Sequence, residues 1–181
     1  MDKINIFPII LRHIDTLRDH ETGRRSLSDV GLFFGLPLLV SSVGFYWKWG
    51  LSVDALNAVL ASFAIFAGLL LNLLILVYTF STETNHPNAL ARVRVSVIRQ
   101  LHDNIAYSVL VSTTVVVFAL VAVARIKMND GATTPIRSGP YMTFALVYLT
   151  MNFVLTLLMI LKRIHLMLRM KLDQPAMRKV S

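Results

Sequence analysis

The sequence predicts an all-α integral membrane protein with four transmembrane helices, both termini in the cytoplasm, and amphipathic cytoplasmic extensions. Three observations carry that expectation. Hydrophobic residues make up 55% of the 181-residue chain and the mean hydropathy is +0.63, above the roughly 45–50% apolar usage of soluble domains. These residues gather into four long runs that hold no charge except Asp54, at the very start of one of them. The runs lack the polar stripe at helical period that a water-facing bundle requires. Finally, Lys and Arg are concentrated in alternate connecting segments, the pattern by which membrane proteins are oriented.

Residues 1–30 form a cytoplasmic amphipathic segment. Its stretch INIFPIILRHIDTLRDHETG places Phe7, Ile10, Ile14 and Leu17 at helical spacing, with Arg12, Asp15, Arg18 and Asp19 off that face and Gly23 as a stop. Such a helix packs along the bundle or on the headgroups. The charged segment before the first apolar run is longer than a signal peptide's n-region, so a retained signal-anchor is expected.

The membrane domain occupies 31–161, with spans at 31–47, 53–80, 105–124 and 141–161, set against the roughly 20 apolar residues that cross a bilayer as a helix. The first is the shortest, and Pro37 within it is a kink site. Asp54 opens the second, where a helix N-terminus favours an anion. The connection NHPNALARVRVSVIRQLHDN begins with a proline suited to a first helical turn and carries Leu90, Val93, Val97 and Leu101 on one face. It spaces Arg99 and Asp103 for an i,i+4 pair. No Gly or Pro separates it from the third span, so that helix is expected to continue out of the membrane. The stretch LKRIHLMLRMKLDQP extends the fourth span in the same way until Pro175, and 162–181 is a basic tail. By contrast, KMNDGATTPIRSGP reads as a turn-rich connector.

The N-terminal segment, the connection between the second and third spans, and the tail together hold fourteen of the eighteen Lys and Arg. Both termini are therefore expected in the cytoplasm, in agreement with an even number of spans. The net charge is +8, which in so sparsely charged a chain points to anionic lipid or an acidic partner. Arg92, Arg94 and Arg99 on one extension and Lys162, Arg163, Arg169 and Lys171 on the other are the candidate contacts.

Residues with chemistry are few. The absence of cysteine removes disulfides, thiolates and Cys-ligated zinc. There is no P-loop and no dinucleotide fingerprint. His13, His20, His86, His102 and His165 are scattered, with no HExxH and no i,i+4 pair to hold a metal. They read as interfacial residues, and His102 and Asp103 as neighbours pointing apart. No catalytic, cofactor, metal or direct nucleic-acid site is expected. No ionisable group lies deep in a span, as a proton relay needs, and no matched pair of broken helices suggests a transporter.

What remains is hydroxyl and amide chemistry. Ser108, Ser112 and Thr113 on the third span and Thr150, Asn152 and Thr156 on the fourth line a narrow pore or bond helices together; without a charged selectivity ring, helix bonding is favoured. In LLNLLILVYTF a single Asn72 interrupts hydrocarbon. An unpaired amide there costs several kcal/mol, which drives it toward another helix. Ala61, Ala64, Gly68 and Asn72 share one face at spacings of three and four, the small-residue pattern of close helix association. A homo-oligomer is the expectation.

The stretch SFAIFAGLLLNLLILVYTF, a basic linker, and QLHDNIAYSVLVS opening the third span resemble small membrane proteins of bacterial anti-phage defence loci: the membrane subunit of the Kiwa system and, more distantly, accessory membrane proteins of type VI-B CRISPR loci. The resemblance covers about 61–112. It implies a homo-oligomeric inner-membrane sensor and anchor that recruits a cytoplasmic, nucleic-acid-binding effector. The nuclease-like Arg–His spacing of some CRISPR accessory proteins does not occur here. The alternatives are a pore that depolarises the membrane and a small channel or transporter subunit.

Reporter fusions test the topology: activity is expected on the cytoplasmic side at Ser181 and Thr84 and on the opposite side near Thr133. A C-terminus outside the cytoplasm would reverse the orientation.

Overall fold

The computed structural model describes residues 6–15, 27–82, 89–128 and 137–177; Leu17, Gly23 and Pro87 lie outside them. Five helices follow in order: α1 (Phe7–Asp15), α2 (Leu27–Tyr46), α3 (Val53–Thr82), α4 (Ala89–Met128) and α5 (Pro140–Met177). Strands are absent among the described residues. The third and fourth apolar runs do continue as single helices, giving 40 residues in α4 and 38 in α5. Helix α5 runs two residues past Pro175. That proline forfeits one backbone donor within the last turn, where a helix already frays.

Three helices, α3, α4 and α5, are long and apolar enough to cross a membrane. The apolar part of α2, Gly31–Tyr46, is shorter; its sixteen residues rise about 24 Å against a hydrocarbon core of about 30 Å. Its end has a defined cause. Lys48 adopts φ 53°, Trp49 N–H donates to Gly44 O at 2.9 Å and Lys48 N–H to Phe45 O at 3.1 Å. This is the Schellman arrangement, with lysine in the left-handed position that glycine normally takes. Within α2 the Ser41 hydroxyl donates to Pro37 O at 2.7 Å.

Helix α4 is the hub. It packs on α3, α5 and α1, while α2 packs on α5. One row of buried α4 positions runs 98, 101, 105, 108, 112, 115, 119, 122 and 126, alternating steps of three and four, with 97, 104, 107 and 111 buried beside it. On α3 the buried residues Leu56, Phe63, Leu70 and Val77 fall seven apart, with half-buried Val53, Leu60, Ala67 and Leu74 between them. Leu146, Phe153 and Ile160 repeat the step of seven on α5. This 3.5-residue repeat keeps one face of a supercoiled helix against its neighbour. Ser108, Ser112, Ala119 and Ala122 keep the α4 seam thin, as close packing in membranes requires. Across α3 and α5, Phe63 and Phe153 meet with ring centroids 4.8 Å apart.

The outer surface is as apolar as the seam. Ile65, Leu69, Ile75, Val117, Leu120, Leu158 and Leu161 are each more than half exposed, a belt that water would penalise and hydrocarbon accepts.

At one end of the bundle the α2–α3 and α4–α5 connections are stitched together. Ser138 N–H donates to Leu51 O at 3.0 Å, Leu51 N–H donates to Ser138 Oγ at 2.9 Å, and Ser138 and Thr143 hydroxyls meet at 2.8 Å. Gly50 permits this approach, since a Cβ there would lie 2.7 Å from Arg137 Cβ. Ser52 then caps α3, accepting from Ala55 N–H at 3.2 Å.

Gly50→Ala is therefore expected to destabilise the fold by roughly 1–3 kcal/mol, read as a lower thermal midpoint in detergent. Gly31→Ala, where a Cβ meets nothing within 4 Å, is expected to leave the midpoint unchanged or raise it.

Candidate functional site

Asn104 and Tyr107 of α4 and Asn152 of α5 gather where α1 meets the bundle. Helix α1 turns inward a face rotated from the one its pattern suggested: Ile10 and Ile14 stay half-buried, but Phe7 does not. His13 is fully buried, Ile9 and Ile10 pack against the core, and Phe7 is 71% exposed. The inward face thus includes an imidazole, because α4 offers it a matched acceptor. His13 Nδ1 lies 2.9 Å from Asn104 Oδ1. A carboxamide oxygen only accepts, so Nδ1 carries the proton in this contact, and burial keeps the ring neutral.

The imidazole also lies flat on Tyr107, ring centroids 3.8 Å apart and planes 3° from parallel, and Phe33 of α2 leans on it at 5.1 Å. Tyr107 in turn donates its hydroxyl hydrogen to Asn152 Oδ1 of α5 at 2.8 Å. His13 is thereby tied to α2, α4 and α5. One level further out, Arg163 of α5 donates to Gln100 Oε1 of α4 at 2.7 Å. The His13 pKa is lowered from 6.5 to about 4, chiefly by burial and secondarily by the Arg163 charge, against a raising influence from Asn104.

The polar ladder continues along the seam through Ser108, Ser112, Asn152 and Thr156, all buried. Ser112 Oγ donates to Val109 O at 2.9 Å and Thr156 Oγ1 to Asn152 O at 2.9 Å. The Ser108 hydroxyl and the Asn152 amide nitrogen have no hydrogen-bond partner among the described residues. This part of the seam carries more hydrogen-bonding capacity than its packing uses. Thr113 does not share the Ser108–Ser112 face. It is exposed and bonds Val109 O at 2.9 Å, because one residue further along a helix turns the side chain by about 100°.

The other sequence candidates fall apart from this cluster. Ala61, Ala64, Gly68 and Asn72 are all exposed on the outer face of α3, and a Cβ at Gly68 would meet nothing within 4 Å. Asn72 makes no side-chain hydrogen bond among the described residues, and Asn152 is engaged by Tyr107 instead. Lys162 and Arg99 are exposed, and Arg163 is half-buried. The side chains of Arg92, Arg94, Arg169 and Lys171 lie outside the described residues. Contrary to the expectation that they point apart, His102 Nδ1 and Asp103 Oδ1 lie 3.7 Å from each other, and the expected Arg99–Asp103 pair does not form. Asp103 turns toward the α4–α5 side, where it acts on Arg163, while Arg99 faces α3. No cluster of three metal-ligating side chains occurs among the described residues.

Sequence reasoning missed His13, Asn104 and Tyr107. The available signal was weak: His13 stands at i+3 and i+4 from Ile10 and Ile9. Comparison with family models, curated proteins and solved structures gives no match.

Docking of α1 is expected to weaken with acid. Undocked His13 titrates near 6.5 and docked His13 near 4, so the undocked state takes up the proton first. Docking is at full strength above pH 6.5 and weakens as pH falls toward 4, on the order of 2–3 kcal/mol over the window. Hydrogen exchange of the α1 amides at pH 7.5 and 5.0, corrected for intrinsic rates, reads this. His13→Phe keeps the stacking and is expected to abolish the pH dependence.

Proposed function

We propose that this chain is a non-enzymatic, multi-pass subunit of a bacterial inner membrane. In this reading it assembles with copies of itself through the outer face of α3 and holds a cytoplasmic effector on the basic extensions of α4 and α5. Both termini face the cytoplasm and α2 serves as the fourth, short span. The observation that carries the reading is Asn72, an exposed amide in the middle of a helix whose surroundings are otherwise hydrocarbon. Facing lipid, it keeps the full penalty of an unmade hydrogen bond; facing another α3, it donates and accepts at once. Gly68 beside it leaves open space for a partner backbone.

The extensions support the second half. Helix α5 continues beyond its apolar run, which ends at Leu161 before Lys162 and Arg163, as far as Met177, and α4 begins at Ala89, sixteen residues before its own uncharged run opens at Ile105. Arg163 braces α4 through Gln100, while Lys162 is exposed toward an acidic or anion-bearing partner, with Arg169 and Lys171 of the basic tail as the further candidates from the sequence. The defence setting and the nucleic-acid-binding nature of that effector belong to the same proposal, resting on the resemblance over 61–112.

Cross-linking in native membranes tests it. Asn72→Leu is expected to weaken the oligomer by about 0.6–2 kcal/mol per contact, the range of hydrogen bonds between membrane helices. Gly68→Ile is expected to weaken it further. An oligomer unchanged in both variants would mean that the stripe faces lipid. A steady ion current from the purified protein in planar bilayers, lost in Ser108→Val with Ser112→Val, would put a pore in place of the anchor.

A further inference from the structure

A groove of about 190 Å³ lies between the end of α3 and the beginning of α4, lined by Val77, Tyr78, Val95, Ile98, Arg99 and His102. Its composition is divided. Val77 and Ile98 form a buried apolar floor, with Val95 at the edge, whereas Tyr78, Arg99 and His102 stand exposed at the rim. Position in the bundle gives this division a meaning. The apolar run of α3 ends at Phe80, before Ser81 and Thr82, and Gln100, Asp103, Lys162 and Arg163 lie at the corresponding level of α4 and α5, with Arg163 reaching Gln100 at 2.7 Å. A ring of polar side chains at the end of the apolar runs marks the headgroup layer, where Tyr and Arg are commonly placed. The exposed Leu71 and Ile75 continue from Tyr78 along the same side of α3 toward the middle of the bilayer.

We propose that this groove binds one anionic phospholipid. Its phosphate is held by the Arg99 guanidinium, with the Tyr78 hydroxyl as a further donor, and one acyl chain lies along Ile75 and Leu71. Charge complementarity selects this occupant. Arg99 has no carboxylate within salt-bridge distance among the described residues; the nearest carboxylate on its own helix, Asp103, is engaged with His102 at 3.7 Å. A planar guanidinium offers the paired donors that phosphate oxygens accept best. The apolar floor directly beneath it favours a phosphate that carries a hydrocarbon chain over a free one. The site would fix a lipid at the α3–α4 junction, independently of whether the outer face of α3 forms an oligomer.

Native mass spectrometry of the full-length protein released from nanodiscs tests this. Nanodiscs of mixed phosphatidylglycerol and phosphatidylcholine are expected to yield a single retained phosphatidylglycerol per chain. Arg99→Gln is expected to reduce that retention about tenfold, the loss of one charge-assisted hydrogen bond. Val95→Trp, which fills the groove from its exposed edge, is expected to reduce it comparably. Lys127→Gln removes the same charge from the far end of α4 and is expected to change nothing. Circular dichroism of each variant establishes that the helices persist. Retention equal in wild type and Arg99→Gln would overturn the proposal, as would an equal loss in Lys127→Gln, which would mean diffuse attraction. Displacement by millimolar inorganic phosphate would also overturn it, because the site would then hold an anion without its chain.

Discussion

The packing of α4 against its neighbours is the constraint on which the rest depends. Apolar side chains on α3, α4 and α5 point outward as freely as inward, so hydrophobicity alone gives no reason for any one face to be the seam. Shape and polarity decide it. The α4 seam alternates three and four residues from Ile98 to Ile126 and is built of small residues along much of its length. Its amide at Asn104 has no acceptable place in hydrocarbon other than against another helix, whereas a hydroxyl such as that of Ser112 can bond its own helix backbone. With α4 fixed, the sevenfold rows of α3 and α5 have one surface on which to lie.

The polar groups of the seam do two different jobs. Ser112 and Thr156 return their hydrogens to their own helix backbones, so they thin the contact without joining helices. Asn104, Tyr107 and Asn152 join α1, α4 and α5 through side chains alone. An unpaired member of such a chain is left buried without solvent, and that asymmetry makes the arrangement specific. The cluster lies at the same end of the bundle as the Arg163–Gln100 bond and the α3–α4 groove. The opposite end is held differently, by backbone and hydroxyl contacts between two short connections around Gly50 and Ser138.

These two modes suit their positions. A connection near water can satisfy a strained lysine turn at Lys48 with ordinary backbone bonds. A short amphipathic helix resting on a membrane bundle has few residues with which to hold itself. One buried imidazole touching α2 and α4, and linked to α5 through Tyr107, supplies orientation that two isoleucines could not. Neutrality of that imidazole is part of the fit, because a charged ring in this position would lie near Arg163 with little solvent to screen it.

The sequence by itself determined the helical class, the three long apolar helices and the shortness of the first run, because each follows from composition and length. It also determined that α4 and α5 run on past their apolar stretches, since no Gly or Pro interrupts either before its extension. It did not determine which face of any helix is inside. In a soluble protein the polar stripe would have revealed it; in hydrocarbon the outward residues are as apolar as the inward ones, and the 3.5-residue repeat is invisible until neighbours are present. The same physics hid the His13 cluster. A histidine at a helix edge, an asparagine in HDN and a tyrosine at a span boundary each have a bland reading alone, and only the tertiary structure sets them within hydrogen-bond and stacking distance. The Ala61–Asn72 stripe was legible because its small and polar residues break the pattern within one helix; the fold leaves it facing outward.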